Sequence, residues 1–360
     1  MVEGLRHGGV LLVSSNGAGM GHLTRLLAVS TRLPAEVTRT FLSLSSAVPA
    51  VQELGAAWEF CPSWGAIGGS KAAWNDMFAA RLRLTLRTYR PQVVVFDGTW
   101  PYAGLVKVLT ESPDVRSVWS RRAMWRATVA GDHLDVARLF DLVLEPGEYA
   151  GERDVGATTR RTDATRVGPI TLLDPNQLLS REDARVGLGM PAQGRALLLT
   201  LGAGNINDIS TDVGAVVSAV RAEHPGWGVW LTRPPIAERG QDLAGVSTLQ
   251  VYPLARYLRA FDGAVAAAGY NSYHELLGAG VPTVWVPNLD TSTDDQAARA
   301  CFAAERQVGW CVTDVPRQVS PVLRELVDDD VRASRSATAV ATYPVNGAGQ
   351  AAALVAGLLR

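Results

Sequence analysis

A unit that occurs twice constrains this 360-residue chain most: a short apolar run, a glycine-rich turn, then a helical pattern. Residues 9–15 form the first run and lead into Asn16-Gly17-Ala18-Gly19-Met20-Gly21-His22. Residues 196–201 form the second and lead into Gly202-Ala203-Gly204-Asn205. In the first half, further strands read at 38–44, 57–60, 92–96, 117–119 and 142–144. Helices read at 22–33 and 77–89, with a Gly- and Trp-rich loop over 63–74. In the second half, strands read at 228–231, 249–252, 263–267, 283–286 and 308–312. Strands alternating with helices build a parallel sheet covered on both faces. The expected fold class is therefore α/β, two Rossmann-like doubly wound domains facing a cleft. Residues 151–166 are polar, without an apolar period, and are read as the linker. The expected domains are 1–166, 167–345 and a C-terminal helix over 346–360 that packs back on the first.

Composition narrows the function classes. Hydrophobic residues make up 47% and charged residues 19%, which supplies a large core and argues against disorder. A formal net charge of −1 argues against a nucleic-acid partner held by phosphate neutralisation. Cys61, Cys301 and Cys311 are too few and too scattered for a disulfide framework or a zinc site. The apolar run at 10–13 is too short for a signal peptide or a membrane span, so a cytoplasmic location is expected.

The first glycine loop lets a ligand approach the backbone, and the helix after it presents N–H groups and a positive dipole end. Its spacing departs from a dinucleotide-binding fingerprint, because His22 stands where the third glycine would be and no acidic residue closes the second strand. His22 has two readings: a first-turn residue with a local hydrogen bond, or a general base, since imidazole titrates near neutral pH. Asp97 ends the fourth strand, which neighbours the first in the order 3-2-1-4-5-6. Asp97 and the His22 loop are then side by side, and the carboxylate either orients the imidazole or is the base itself.

Further candidates have plain alternatives. Arg121, Arg122 and Arg126 follow the fifth strand, among Trp119 and Trp125. They read as an acceptor grip or as a solvated basic turn. Trp64 and Trp74 read as stacking platforms or as pins for their loop, and the Asp132–His133 pair as surface.

The second half carries a denser series. Gly269-Tyr270-Asn271-Ser272 turns out of a strand, with a helix expected from Ser272 and Glu275 on it. Gly280-Val281-Pro282, a strand, Pro287 and Asp294-Asp295-Gln296 follow. Ser272 with Glu275, and Thr293 with Gln296, have capping-box spacing, which is the structural alternative for both acidic and amide residues.

In that order Gly269, Ser272, Glu275, Gly280, Pro282, Pro287, Asp295 and Gln296 resemble the donor motif of the family-28 glycosyltransferases. These are the GT-B type that includes the lipid II-forming N-acetylglucosaminyltransferase. The first loop departs from that family's usual G-G-T-G-G-H. Its Gly21-His22-Leu23-Thr24-Arg25 run also resembles other GT-B proteins with a G-H-x-x-R loop, among them a nucleotide-sugar hydrolase.

The resemblance implies a role for each match. Glu275 would accept hydrogen bonds from the donor ribose. Gly202, Ala203, Gly204 and Asn205, with Gly269, Tyr270, Asn271 and Ser272, would hold the diphosphate through backbone N–H groups. Asp295 and Gln296 would hold sugar hydroxyls, and Tyr252 and Leu254 would line the base pocket. On the acceptor side stand Gly19, Gly21, Trp64, Arg121 and Arg122. Helix N-termini offset the charge growing on a leaving diphosphate, so neither a metal nor another cofactor is expected. The expected activity is inverting transfer of a hexose-type sugar from a nucleotide donor, a UDP-sugar, to a small soluble acceptor such as a natural-product scaffold. His22 and Asp97 are the catalytic pair in this reading. The alternatives are a nucleotide-sugar hydrolase and a sugar-nucleotide-binding protein without turnover. No nucleic-acid partner is expected, and membrane association is not favoured.

Overall fold

The computed structural model describes residues 8–15, 19–202, 209–233 and 243–359. The chain divides into two compact units. The first comprises Met1–Glu148, Val155–Leu172 and Val345–Arg360; the second comprises Tyr149–Asp154 and Leu173–Pro344.

The first unit is built on β1 (Val10–Ser14), β2 (Arg39–Ser43), β3 (Ala57–Phe60), β4 (Val93–Asp97), β5 (Arg116–Ser120), β6 (Leu142–Pro146) and β7 (Thr165–Val167). The strands are parallel in the order β3-β2-β1-β4-β5-β6-β7. The doubly wound order expected from sequence is present, extended by one edge strand. Both β1 and β4 are buried at every position, as strands of a sheet covered on both faces must be. Around them lie α1 (Gly21–Ser30), α2 (Trp64–Ile67), α3 (Lys71–Tyr89) and α4 (Ala103–Thr110).

Two stretches differ from the sequence reading. Residues 63–74 are not a loop: they hold α2 and the first turn of α3, which starts at Lys71 with the Ser70 side chain accepting from the Ala73 N–H. Trp74 consequently sits on the buried face of α3, stacked on Phe78 at 5.4 Å and edge-on to Tyr102 at 4.9 Å. It is core, and its N–H donates to the Pro62 carbonyl. The polar stretch 151–166 contains two short 3-10 turns, Gly151–Arg153 and Ala157–Arg160, and the start of β7. Only Val167 of β7 is buried, so this short edge strand has no apolar alternation to reveal it.

The second unit repeats the plan with β8 (Arg195–Thr200), β9 (Trp227–Thr232), β10 (Val246–Leu249), β11 (Gly263–Ala267), β12 (Thr283–Val286) and β13 (Gly309–Cys311). These strands are parallel in the order β10-β9-β8-β11-β12-β13. Its helices are α5 (Arg181–Gly187), α6 (Ser210–Glu223), α7 (Tyr270–Gly278), α8 (Gln296–Glu305), α9 (Val315–Leu326) and α10 (Asp329–Thr342). The strand expected at 249–252 lies earlier, because Leu249 already pairs with Thr232 at the end of β9. Beneath the sheet, Asp262 accepts from the Ala196 N–H and faces Arg181, Arg185 and Arg195, a brace that needs no ligand.

The last helix, α11 (Ala348–Ala356), belongs to the first unit and packs on α1 and β7. Ala348, Ala351, Ala352 and Val355 form its buried stripe at helical spacing. The chain enters it through a close backbone crossing. The Gly347 N–H donates to the Pro169 carbonyl at 2.8 Å, and a Cβ on Gly347 would lie 2.1 Å from the Gly168 carbonyl oxygen. Among the described residues no helix is long and apolar enough to cross a membrane. Since backbone cannot yield as a side chain can, Gly347→Ala is expected to destabilise the first unit by about 1–3 kcal/mol. Hydrogen exchange over 345–359 should rise in that variant; unchanged protection would show that the crossing tolerates a methyl group.

Candidate active site

The register of the first sheet lines up four polar residues at the carboxyl ends of its strands. Ser43 on β2 pairs with Ser14 on β1, Ser14 with Asp97 on β4, and Asp97 with Ser120 on β5. In-register neighbours project to the same face of a sheet, so the four side chains form one row. All are buried, and buried polar groups are costly unless bonded. The Ser14 and Ser43 hydroxyls lie 2.5 Å apart, and the Ser120 hydroxyl donates to Asp97 Oδ2 at 2.7 Å.

Helix α1 starts just beyond β1 and delivers two side chains to this row. His22 Nδ1 lies 2.6 Å from Asp97 Oδ1. Arg25, one turn later and so on the same helix face, donates through Nε to Asp97 Oδ2 at 3.1 Å and through a terminal nitrogen to Oδ1 at 2.5 Å. That terminal nitrogen is also 2.8 Å from His22 Nδ1. Burial alone would raise the Asp97 carboxyl. The Arg25 charge and the hydrogen bonds from His22 and Arg25 outweigh it and hold the group far below the usual carboxylate range. The shorter contact to the ionised Asp97 assigns the proton to Nδ1, and the Arg25 nitrogen then lies beside Nδ1 as a charge and not as its hydrogen-bond donor. Nε2 therefore carries the ring's lone pair. Burial pushes the His22 imidazole down most; Asp97 opposes it, and Arg25 and Arg122 add to it, leaving the ring near pKa about 4. Above pH 5 the ring is a neutral proton acceptor.

The structure thus brings His22 and Asp97 together, and adds Arg25, which the sequence reading did not single out. The signal was its position three residues after His22 on one helix.

The proposed acceptor residues fare differently. Asn16, Gly17 and Ala18 lie outside the described residues. Gly19 is bordered by open space, and Gly21 is the first residue of α1. Arg121 is not a solvated turn residue: its side chain is fully buried, paired with Glu145 at 3.1 Å and Asp163 at 3.2 Å, and lies over the Trp119 ring. It follows the last residue of β5 and ties the end of that strand to Glu145 on β6. Arg122 is partly exposed and its charge reaches His22. Trp64 is exposed, with its N–H on the Gly69 carbonyl and Lys71 over its ring, so it both pins its turn and presents a face. An aromatic missed from sequence is Trp100, three residues past Asp97. It is partly exposed, edge-on to Trp125 and stacked at 5.1 Å on His133.

In the second unit, α7 begins at Tyr270 with Gly269 as its N-cap, two residues before the expected start. The shift removes the capping-box reading of Ser272 and Glu275, since Ser272 stands inside the first turn. The first three N–H groups of α7 belong to Tyr270, Asn271 and Ser272, the end of a helix that favours an anion. The Glu275 carboxyl has no hydrogen-bond or ion-pair partner among the described residues, and burial pushes it up to about 7.

Helix α8 also caps differently. Asp295 is its N-cap and accepts from the Ala298 N–H at 3.0 Å. Gln296 is then its first residue, not the end of a capping box with Thr293. Its Oε1 accepts from the Asn288 N–H, and a Cβ on Gly269 would lie 3.9 Å from its Nε2. The glycine turn and the start of α8 are therefore adjacent. Arg299, fully buried, spans both, bonding Asp294 at 2.8 Å and the Ala268 carbonyl. Gly202, two residues past β8, has φ +104°, which glycine adopts without strain. Ala203, Gly204 and Asn205 lie outside the described residues. Tyr252 and Leu254 are partly exposed, Leu254 opening a 3-10 turn, Leu254–Ala260. Among the described residues no group of three or more His, Cys, Asp or Glu side chains could hold a metal ion.

No family model and no curated protein sequence matches the chain. Solved structures do match over nearly its whole length. MurG of Acinetobacter baumannii aligns with a TM-score of 0.63 at 13% identity, over 97% of this chain and 99% of that one. The glycosyltransferase of kitacinnamycin aligns with a TM-score of 0.66 at 18% identity, over 99% and 100%. The spinosyn rhamnosyltransferase SpnG, complexed with thymidine diphosphate, aligns with a TM-score of 0.62 at 17% identity, over 96% and 99%. The chain has the GT-B fold. Within that fold, Glu275 stands on the helix that follows β11, and the His22–Asp97–Arg25 cluster stands at the carboxyl edge of the first sheet.

The unpartnered Glu275 makes a stability prediction. Its folded-state value lies above the unfolded one of 4.5, so stability is lost as pH rises from 4.5 through about 7. Glu275→Gln should raise the melting temperature of the ligand-free protein by a few degrees at pH 8 and leave it unchanged at pH 4.5. A variant less stable than the parent at pH 8 would show that the carboxylate is already satisfied.

Proposed function

We propose that this chain is a glycosyltransferase. It moves a hexose-type sugar from a nucleoside diphosphate donor to a hydroxyl of a small acceptor, with inversion at the anomeric carbon. The observation that carries this reading is the His22–Asp97 pair. A buried carboxylate holds the imidazole in the Nδ1–H tautomer and leaves Nε2 to accept a proton. The fold shared with MurG and with natural-product glycosyltransferases supports it.

The donor is assigned to the second unit. Glu275 accepts hydrogen bonds from the ribose hydroxyls, which supply the partners its carboxylate lacks. The N–H groups of Tyr270, Asn271 and Ser272, with the Gly202 turn, hold the diphosphate. Asp295 and Gln296 meet the sugar, and Tyr252 and Leu254 border the base. A pyrimidine nucleotide, uridine or thymidine diphosphate, is the donor class; the similar SpnG was solved with thymidine diphosphate.

The acceptor is assigned to the first unit, with Trp64, Trp100 and Arg122 around it. Its hydroxyl oxygen attacks the anomeric carbon as the bond from that carbon to the diphosphate breaks. The bonding pair leaves on the diphosphate, whose growing charge the α7 N-terminus meets. His22 Nε2 takes the hydroxyl proton. A base near pKa 4 is adequate, because the acceptor proton becomes strongly acidic once the new C–O bond is forming. A single displacement inverts the centre, and the small aglycone of a natural product fits the exposed aromatic faces.

The Gly21-His22-Leu23-Thr24-Arg25 run, which resembles the G-H-x-x-R loop of a nucleotide-sugar hydrolase, supports a second reading, transfer to water. Steady-state kinetics test the main one. His22→Ala should lower kcat by about 10²–10⁴-fold with donor Kd little changed. Near-parental turnover would remove His22 from the chemistry, and free sugar released equally with and without acceptor would favour hydrolysis.

A further inference from the structure

We propose that Arg25 is a positioning residue of this site: it clamps the Asp97 carboxylate from both oxygens and keeps His22 an uncharged acceptor in one tautomer. This rests on the reading of His22 as the base. The geometry is specific. Arg25 meets Oδ2 through Nε and Oδ1 through a terminal nitrogen, a fork that fixes the carboxylate plane. Ser120 also donates to Oδ2, so that oxygen carries two donors while Oδ1 meets Arg25 and the imidazole. The guanidinium is itself enclosed, 2% exposed, and so meets little solvent screening.

Burial is the largest cause of the neutral ring, and the balance of nearby charge adds to it. A histidine beside a lone carboxylate gains a stabilised imidazolium and is protonated over much of the neutral range. Here the carboxylate's charge is offset by a cation lying 2.8 Å from the same ring nitrogen. Asp97 therefore sets the orientation of the ring without strongly favouring its charged form. The groups facing His22 are Arg25 from its own helix, Asp97 from β4 and Arg122 from beyond β5, two cations against one anion. The site gives up base strength and gains a base that is free at every pH above about 5.

The test is a pH titration of the ¹⁵N-histidine-labelled full chain, with His22 assigned by its loss in His22→Ala, beside the pH profile of kcat/KM. In the parent, His22 should be the Nδ1–H tautomer and stay neutral to about pH 5. Arg25→Gln, which keeps a hydrogen bond to Asp97 but loses the charge, should titrate roughly one to three pH units higher. The acid limb of kcat/KM should move with it. Arg25→Lys keeps the charge and should leave the titration near that of the parent while lowering kcat, because one ammonium cannot replace the fork. A parent His22 titrating at or above 6.5 overturns the proposal, as does an Nε2–H tautomer. So does an Arg25→Gln variant with both readouts unmoved. If Arg25→Gln does not fold, the parent tautomer and titration, with Arg25→Lys, still decide. Near-parental turnover by His22→Ala would instead defeat the reading of the base and leave the titration result standing.

Discussion

The parallel pairing of β1 with β4 is the constraint on which the first unit's site depends. It sets Ser14 opposite Asp97 and so places a carboxylate at the mouth of the loop that leads to His22. A carboxylate buried there alone would cost several kcal/mol. It is tolerated because His22, Arg25 and Ser120 each bond to it. The sheet thus demands partners for Asp97, and the helix that follows β1 supplies two of them one turn apart. The tautomer of the imidazole follows from satisfying that carboxylate, and its neutrality from burial together with the Arg25 charge.

The two units treat their acidic residues in opposite ways. Asp97 is saturated within the protein and ionised under all ordinary conditions. Glu275 is left without partners and shifted towards neutrality by burial. A folded protein tolerates an unsatisfied group most readily where a ligand completes it, at some cost to the ligand-free state. On the proposed donor role, the saturated pair would be in place before substrate arrives, whereas Glu275 would link folding stability to occupancy.

Much of this was legible in the residues. The strand order followed from apolar runs and from the spacing of helical patterns, and the adjacency of Asp97 to the His22 loop followed from that order. What escaped was mostly local. Arg25 was overlooked because an arginine in an amphipathic helix ordinarily reaches solvent, and only the three-dimensional row of polar residues shows why this one is enclosed. Arg121 read as a grip or a solvated turn because it follows a strand end, yet it is buried against Glu145 and Asp163. The capping readings of Glu275 and Gln296 failed because α7 begins two residues before Ser272 and α8 is capped by Asp295. Capping spacing in a sequence is ambiguous until the first helical residue is known. Trp74 looked like part of a loop because glycines precede it, whereas Ser70 starts a helix that turns its ring into the core.

The central claim is that a sugar leaves a nucleotide and arrives on an acceptor hydroxyl. Mass spectrometry of reaction mixtures tests it most directly, with the purified chain, a panel of uridine and thymidine diphosphate sugars, and a panel of aromatic and polyketide-like alcohols. The account predicts nucleoside diphosphate released together with an acceptor one sugar residue heavier, both lost in His22→Ala. Nucleotide sugars left intact throughout the panel, or consumed to free sugar with every acceptor unmodified, would contradict it.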